Sequence, residues 1–178
     1  CEWAVNEKVG MEVAIGASIA GKRALTAMKH VGLNVAMDPL MTYSYVGANG
    51  GLVIVTCDDP GMHSSQNEQD SRNLVKFARA PLFEPADSQE TFDMVIAAFE
   101  ISEKFKVPTF VRLTTRTSHT STVVDVGDDF GPGKADGLGY VKDIKRYIPV
   151  PMFARPQRLQ AQERTKALRA FACEAPFN

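Results

Sequence analysis

Three cysteines in 178 residues, far apart along the chain, leave this sequence without a metal or redox spacing. Cys1, Cys57 and Cys173 make no Cys-x-x-Cys pair and no iron–sulfur run, so they cannot bind an electron-carrying cluster on their own. They read as free thiols kept reduced in a cytoplasmic compartment. No apolar run approaches the roughly 18–20 residues of a membrane helix. No basic-then-apolar leader is present either. Net charge is almost absent: 20 Lys and Arg against 21 Asp and Glu give −1 at pH 7. That balance removes the basic footprint expected of a partner for nucleic acid or an anionic membrane. The Walker pattern and the GxGxxG fingerprint are missing, so Lys22-Arg23 after Ala20-Gly21 does not make a nucleotide loop. There is no internal repeat.

What is present is ordinary for a globular protein, with 44% apolar and 23% charged residues. The length suits one domain, 1–178, with a sizeable core. Leu52-Val-Ile-Val-Thr56 is the clearest strand, β-branched and continuously apolar, as expected when both faces of a parallel sheet are covered. Arg23–Met28 reads as a short buried strand, Pro81–Pro85 as a short extended piece, and Pro108–Leu113 as another strand. Helices are expected over 6–21, Val35–Val46, Glu68–Ala78, Ser88–Phe105 and Gln157–Cys173. The fourth is amphipathic through Phe92, Val95, Ile96 and Phe99, with Ile101 at its border, and Asp87 or Ser88 can cap it. Gly127–Gly139 reads as a mobile loop and Tyr140–Val150 as the place of a short strand. Strands alternating with helices predict an α/β fold, a mainly parallel sheet flanked by helices.

In open α/β sheets, ligands bind beyond the carboxyl ends of the strands. Three predicted loops leave in that direction. Lys29–Asn34, a loop turned by Gly32, carries His30, Gly32 and Asn34. Asp58–Arg72, beyond the clearest strand, carries His63 and Arg72. Thr114–Thr122 carries Arg116 and His119. All three histidines of the chain therefore fall in loops on one predicted edge.

The first helix, Asn6-Glu-Lys-Val-Gly-Met-Glu-Val-Ala-Ile-Gly-Ala-Ser-Ile-Ala-Gly21, is built mostly of small residues, with Val9, Val13, Ile15 and Ile19 as its apolar bulk. Each helical Gly costs roughly 1 kcal/mol relative to Ala. Several in one helix point to close approach by backbone or ligand, though tight helix packing alone can account for them.

Glu7-x4-Glu12 followed by Gly-Ala-Ser-Ile-Ala-Gly resembles the pyrimidine-binding domain of thiamine-diphosphate-dependent 2-oxoacid:ferredoxin oxidoreductases. Met28-Lys-His-Val-Gly-Leu-Asn34 and Asp58-Asp-Pro-Gly-Met-His-Ser-Ser-Gln-Asn-Glu-Gln-Asp-Ser-Arg72 narrow the resemblance to the alpha subunit of indolepyruvate:ferredoxin oxidoreductases. The resemblance covers nearly the whole chain. It implies the thiamine-diphosphate-binding fold, here lacking its first strand and helix, in a fragment of a longer chain.

It also implies a chemistry. Thiamine diphosphate supplies carbanion chemistry, and the protein supplies orientation and electrostatics. Glu7 falls where the family places the carboxyl that bonds the aminopyrimidine ring and promotes loss of the thiazolium C2 proton. Otherwise Glu7 is a helix-terminus acid favoured by the macrodipole. Arg72 matches the place of a substrate-carboxylate arginine, a role suited to a bidentate fork. Otherwise it is a solvated residue paired with Glu68 or Asp70. His30, His63 and His119 are candidates for the substrate carbonyl or a proton shuttle. Gly32 and Asn34 are candidates for cofactor contact.

Magnesium, the diphosphate and the iron–sulfur clusters are implied to belong to a diphosphate-binding domain and a beta subunit, so this chain holds half of a shared site. The implied reaction is oxidative decarboxylation of an aryl-pyruvate with coenzyme A, reducing ferredoxin. A related enzyme with another 2-oxoacid, or a non-catalytic assembly module of the same fold, are the competing expectations.

Overall fold

The computed structural model describes residues 1–127 and 139–177. Four parallel strands, β1 (Ala24–Lys29), β2 (Leu52–Asp58), β3 (Leu82–Phe83) and β4 (Thr109–Thr114), form one sheet in the order β1-β2-β4-β3. Among the described residues, seven helices surround it: α1 (Glu7–Ile19), α2 (His30–Val46), α3 (Ser71–Ala78), α4 (Ser88–Phe105), α5 (Thr115–Ser118), α6 (Ile144–Tyr147) and α7 (Pro151–Glu174).

The continuous apolar run of β2 follows from its central position. Side chains alternate across the pleat. Leu52, Ile54 and the β4 residue Phe110 enter a core built with α1, α2 and α3. Val53, Val55 and Val111 face the other way, against Ala98, Val95 and Phe99 of α4. In α2, Leu33, Ala36, Leu40 and Tyr43 recur at helical spacing and are all buried. α4 begins where expected. The Asp87 side chain accepts from the Glu90 amide at 2.9 Å, and Glu90 reaches back to the Ala86 amide at 2.7 Å.

Several sequence expectations are corrected. β1 is an edge strand with Leu25 47% exposed, not a buried one. Lys29–Asn34 is not a loop turned by Gly32. The chain leaves β1 directly into α2, and Pro39 stands well inside that helix, where packing outweighs one lost backbone bond. The α3 helix starts at Ser71, because Asp70 caps it, rather than at Glu68. The buried stripe of α1 is Met11, Ala14 and Ser18, while Val13 is exposed. α4 buries Met94, Ala97, Ala98 and Ile101 and leaves Ile96 exposed. Of the residues expected on its apolar side, Val95, Phe99 and Ile101 do pack inward, and Ile96 does not. The Tyr140–Val150 stretch holds α6 and no strand among its residues. Of the expected Gly127–Gly139 loop, residues 128–138 lie outside the described part.

α7 is held by side chains reaching backbone. The Gln157 amide donates to the Lys145 and Arg146 carbonyls, and the Arg164 guanidinium donates to the Ser44 and Tyr45 carbonyls at the end of α2. Cations belong at that end, where free carbonyls concentrate. No described helix is long and apolar enough to cross a membrane.

Candidate active site

The carboxyl ends of β1, β2 and β4 and the starts of α1, α2 and α3 frame the candidate site. At its first corner, Asn6 caps α1, accepting from the Val9 amide at 3.0 Å, and sets Glu7 at the first helical position. Glu7 is half-buried, and its carboxylate has no hydrogen-bond or ion-pair partner among the described residues. It lies against Gly32. A Cβ on Gly32 would stand 2.7 Å from Oε1 and 2.8 Å from Cδ of Glu7. Gly32 therefore admits the glutamate by lacking a side chain, and not by taking a turn conformation. The residues fit a cofactor that presents a nitrogen donor or acceptor: a carboxylate held on a helix terminus, packed on bare backbone, with its oxygens uncommitted.

His30 opens α2 but is fully buried. Its Nδ1 lies 3.4 Å from the Cys57 carbonyl and its Nε2 3.2 Å from the Asn67 carbonyl. The imidazole ties α2 to β2 and to the loop after it from a buried helical position, so the expectation of three loop histidines is corrected to two. Asn34 is exposed and donates to the Gln69 side chain at 2.9 Å. Lys29 Nζ donates to the Ser64 carbonyl at 3.2 Å.

The loop after β2 is organised by Asp59, which sequence reasoning did not single out. Its carboxylate accepts from the His63 and Ser64 amides at 3.1 and 2.8 Å, and from the Ser65 and Thr115 hydroxyls at 2.6 and 2.7 Å. The hydroxyls of Ser65 and Thr115, then the amides, hold this carboxyl far below the usual carboxylate range. The adjacent turn places Gly61 and Met62 at φ 80 and 55. A positive φ at methionine is uncommon and marks a constrained loop. The loop presents His63 exposed at the edge. A signal for Asp59 was available: an acid followed by Pro-Gly and then a Ser pair is a recipe for side chain-to-backbone turn bonds.

At the third corner, Arg72 lies in the first turn of α3 with its side chain 54% exposed. Asp70 takes its Nε and Nη2 at 2.8 and 2.9 Å, and Glu84 lies 3.9 Å from its Nη1. The Arg72 guanidinium holds the Asp70 carboxyl below its usual range. Beneath them is a buried ionic group not foreseen from the sequence. Arg112 of β4 donates from Nε to Asp58 at 2.7 Å, and its Nη1 pairs with Glu84. Asp58 also accepts the Ser71 amide at 3.0 Å and the Ser71 hydroxyl. Arg116 and His119 are exposed on and just after α5.

A separate groove of about 820 Å³ runs among α3, β3, α4 and α7, lined by Phe77, Phe83, Phe171 and Phe177 among others. Glu84 and Ile101 line it as well, but none of the candidate site residues expected from the sequence does.

The fold and the framed edge define an α/β domain with a parallel sheet and a ligand-binding edge at the carboxyl ends of its strands. Residues 4–131 match the family model described as pyruvate flavodoxin/ferredoxin oxidoreductase, thiamine diphosphate-binding, and the chain belongs to that family. It is 49% identical over 180 residues to the indolepyruvate oxidoreductase subunit IorA of Pyrococcus abyssi, covering 99% of this chain and 28% of that protein. It is 57% identical over 126 residues to the subunit IorA of Archaeoglobus fulgidus, covering 71% of this chain and 20% of that one. The chain thus spans under a third of the length of the curated relatives it matches. Among solved structures, the 2-oxoglutarate:ferredoxin oxidoreductase from Magnetococcus marinus superposes with a TM-score of 0.66 at 16% identity, covering 94% of this chain and 36% of that one. That likeness supports the fold.

Proposed function

We propose that this chain is the pyrimidine-binding domain of a longer cytoplasmic subunit that oxidatively decarboxylates aryl-pyruvates, indolepyruvate among them, using coenzyme A and passing electrons to ferredoxin. The kinship to the IorA subunits supports the reaction class. The observation that carries the reading at this site is the uncommitted Glu7 carboxylate seated on Gly32.

Thiamine diphosphate, when bound, supplies the carbanion chemistry that the side chains lack. Glu7 holds a proton between its carboxyl and the aminopyrimidine ring nitrogen. Gly32 and Asn34 line the approach to it. Arg72 binds the substrate carboxylate through the guanidinium edge that Asp70 leaves open, since Nη1 and the outer hydrogen of Nη2 form a second fork. His63 and His119, both exposed at the same edge, are the groups available to the substrate carbonyl. His30 acts one step removed, by fixing the loop that carries His63. The diphosphate, magnesium and iron–sulfur clusters are held by the diphosphate-binding domain and beta subunit.

Glu7→Gln in the intact complex tests the assignment. The amide keeps the shape but cannot take up a proton. Thiazolium C2 proton exchange on bound cofactor should slow by about 10²–10⁴-fold, the usual worth of a positioned acid–base group. Exchange at the wild-type rate would remove Glu7 from the chemistry.

A further inference from the structure

The ionic group below Arg72 joins β2, β4 and the start of α3 to Glu84. Arg112 stands opposite Thr56 in the β2–β4 register, on the same face as Asp58. Both charges are shielded: the Arg112 side chain is 9% exposed and that of Asp58 1%. A stably folded sheet needs no charge there, and well-packed apolar residues serve such positions at least as well. The arrangement is also directional. One arm of Arg112 holds Asp58, which fixes the first residue of α3 through Ser71. The other holds Glu84 by its Oε1 oxygen. The second oxygen of Glu84 stops 3.9 Å short of Arg72 Nη1, an ion-pair distance outside hydrogen-bond range.

Nη1 belongs to the fork that Asp70 leaves open. A glutamate released from Arg112 would be the nearest carboxylate able to fill it. Glu84 is 40% exposed and follows the short strand β3, so little besides Arg112 prevents a small rotation toward Arg72. We propose that Arg112 is a positioning residue that holds Glu84 back from Arg72, keeping one edge of the Arg72 guanidinium open for the carboxylate of the 2-oxoacid. The inference rests on the reading of Arg72 as the carboxylate-binding group.

Lysine at position 112 keeps a cation for Asp58 but has no planar fork to hold two carboxylates at fixed angles. In the intact complex, Arg112→Lys should raise KM for indolepyruvate about tenfold, the scale of one charge-assisted hydrogen bond. Both kcat and C2 proton exchange should stay near wild type. Adding Glu84→Gln to that variant removes the competing charge and should return KM to within about twofold of wild type. A merely structural role predicts no such rescue.

Arg72→Leu serves as the reference. If it raises KM while Arg112→Lys does not, the positioning role is overturned and the Arg72 reading stands. If Arg72→Leu leaves KM unchanged, the Arg72 reading falls and this inference with it. Should Arg112→Lys not fold, Glu84→Gln alone decides: KM at or below wild type supports the proposal, and a tenfold rise overturns it.

Discussion

Replacing Gly32 with alanine separates stability from function at one atom. The new Cβ would stand 2.7 and 2.8 Å from the Glu7 carboxyl, closer than carbon tolerates. Something must move, and the structure indicates what. Gly32 sits in the first turn of α2, so alanine there favours the helix by up to roughly 1 kcal/mol. Overpacking in a rigid core costs about 1–3 kcal/mol. The neighbour, however, is a half-exposed side chain with no partner to surrender among the described residues, so Glu7 can swing toward solvent and recover most of that cost. The two contributions should nearly cancel, and the melting temperature of the intact subunit should move by no more than about 2–4 °C. The carboxyl oxygens, in contrast, are displaced by an ångström or more, a shift that costs on the order of a hundredfold in a positioned catalytic step. The assay pairs a thermal melt with C2 proton exchange on bound cofactor. Near-normal stability with exchange slowed about a hundredfold is expected. Unchanged exchange would show that the seat on Gly32 does not set the position of Glu7, and a melt lowered by 10 °C would show that Glu7 cannot yield.

Two further predictions concern pH. Burial, only partly offset by the hydrogen bond to Ser18, pushes the Tyr43 hydroxyl up to about 12 from its ordinary 10.0. The folded protein then keeps a proton that the unfolded chain releases, so this contribution is complete below pH 10 and is lost as pH rises from 10 to 12. Tyr43→Phe should flatten that alkaline loss in denaturation curves at the cost of about 1 kcal/mol at neutral pH; an unchanged alkaline limb would refute it. The Asp59 carboxyl lies far below its usual 3.8, so the order it gives to residues 63–65 is complete at neutral pH and fades only as pH falls well below that value. Amide exchange at His63 and Ser64 should stay slow at pH 4 in the wild-type subunit and become fast in Asp59→Ala; fading that begins near pH 5 in wild type would count against the loop's design.

Glu7 and Arg72 were singled out through the resemblance of the motifs around them; Glu7 was also readable as an acid at a helix start, whereas the Asp70 cap that puts Arg72 in the first turn of α3 was not foreseen. Asp87 was legible as the cap of α4. His30 was misread because nothing in Met28–Asn34 tells whether the chain turns after β1 or coils at once; two carbonyls from residues 57 and 67 decide it. Arg112 was unreadable as a functional candidate. A lone arginine inside an apolar strand has no meaning until Asp58 and Glu84 stand beside it.

The sequence by itself determined the alternation of strands and helices and the two-sided burial of Leu52–Thr56, because hydrophobic period and capping act within a few residues of chain. The tertiary structure alone decided that Gly32 is a seat for Glu7 and not a turn, that His30 is buried, and that Arg112 grips Asp58 with one arm and Glu84 with the other. Those contacts join residues 25 to 54 positions apart. Charge pairing and close approach at such separations depend on how sheet and helices pack, and no local pattern along the chain encodes them.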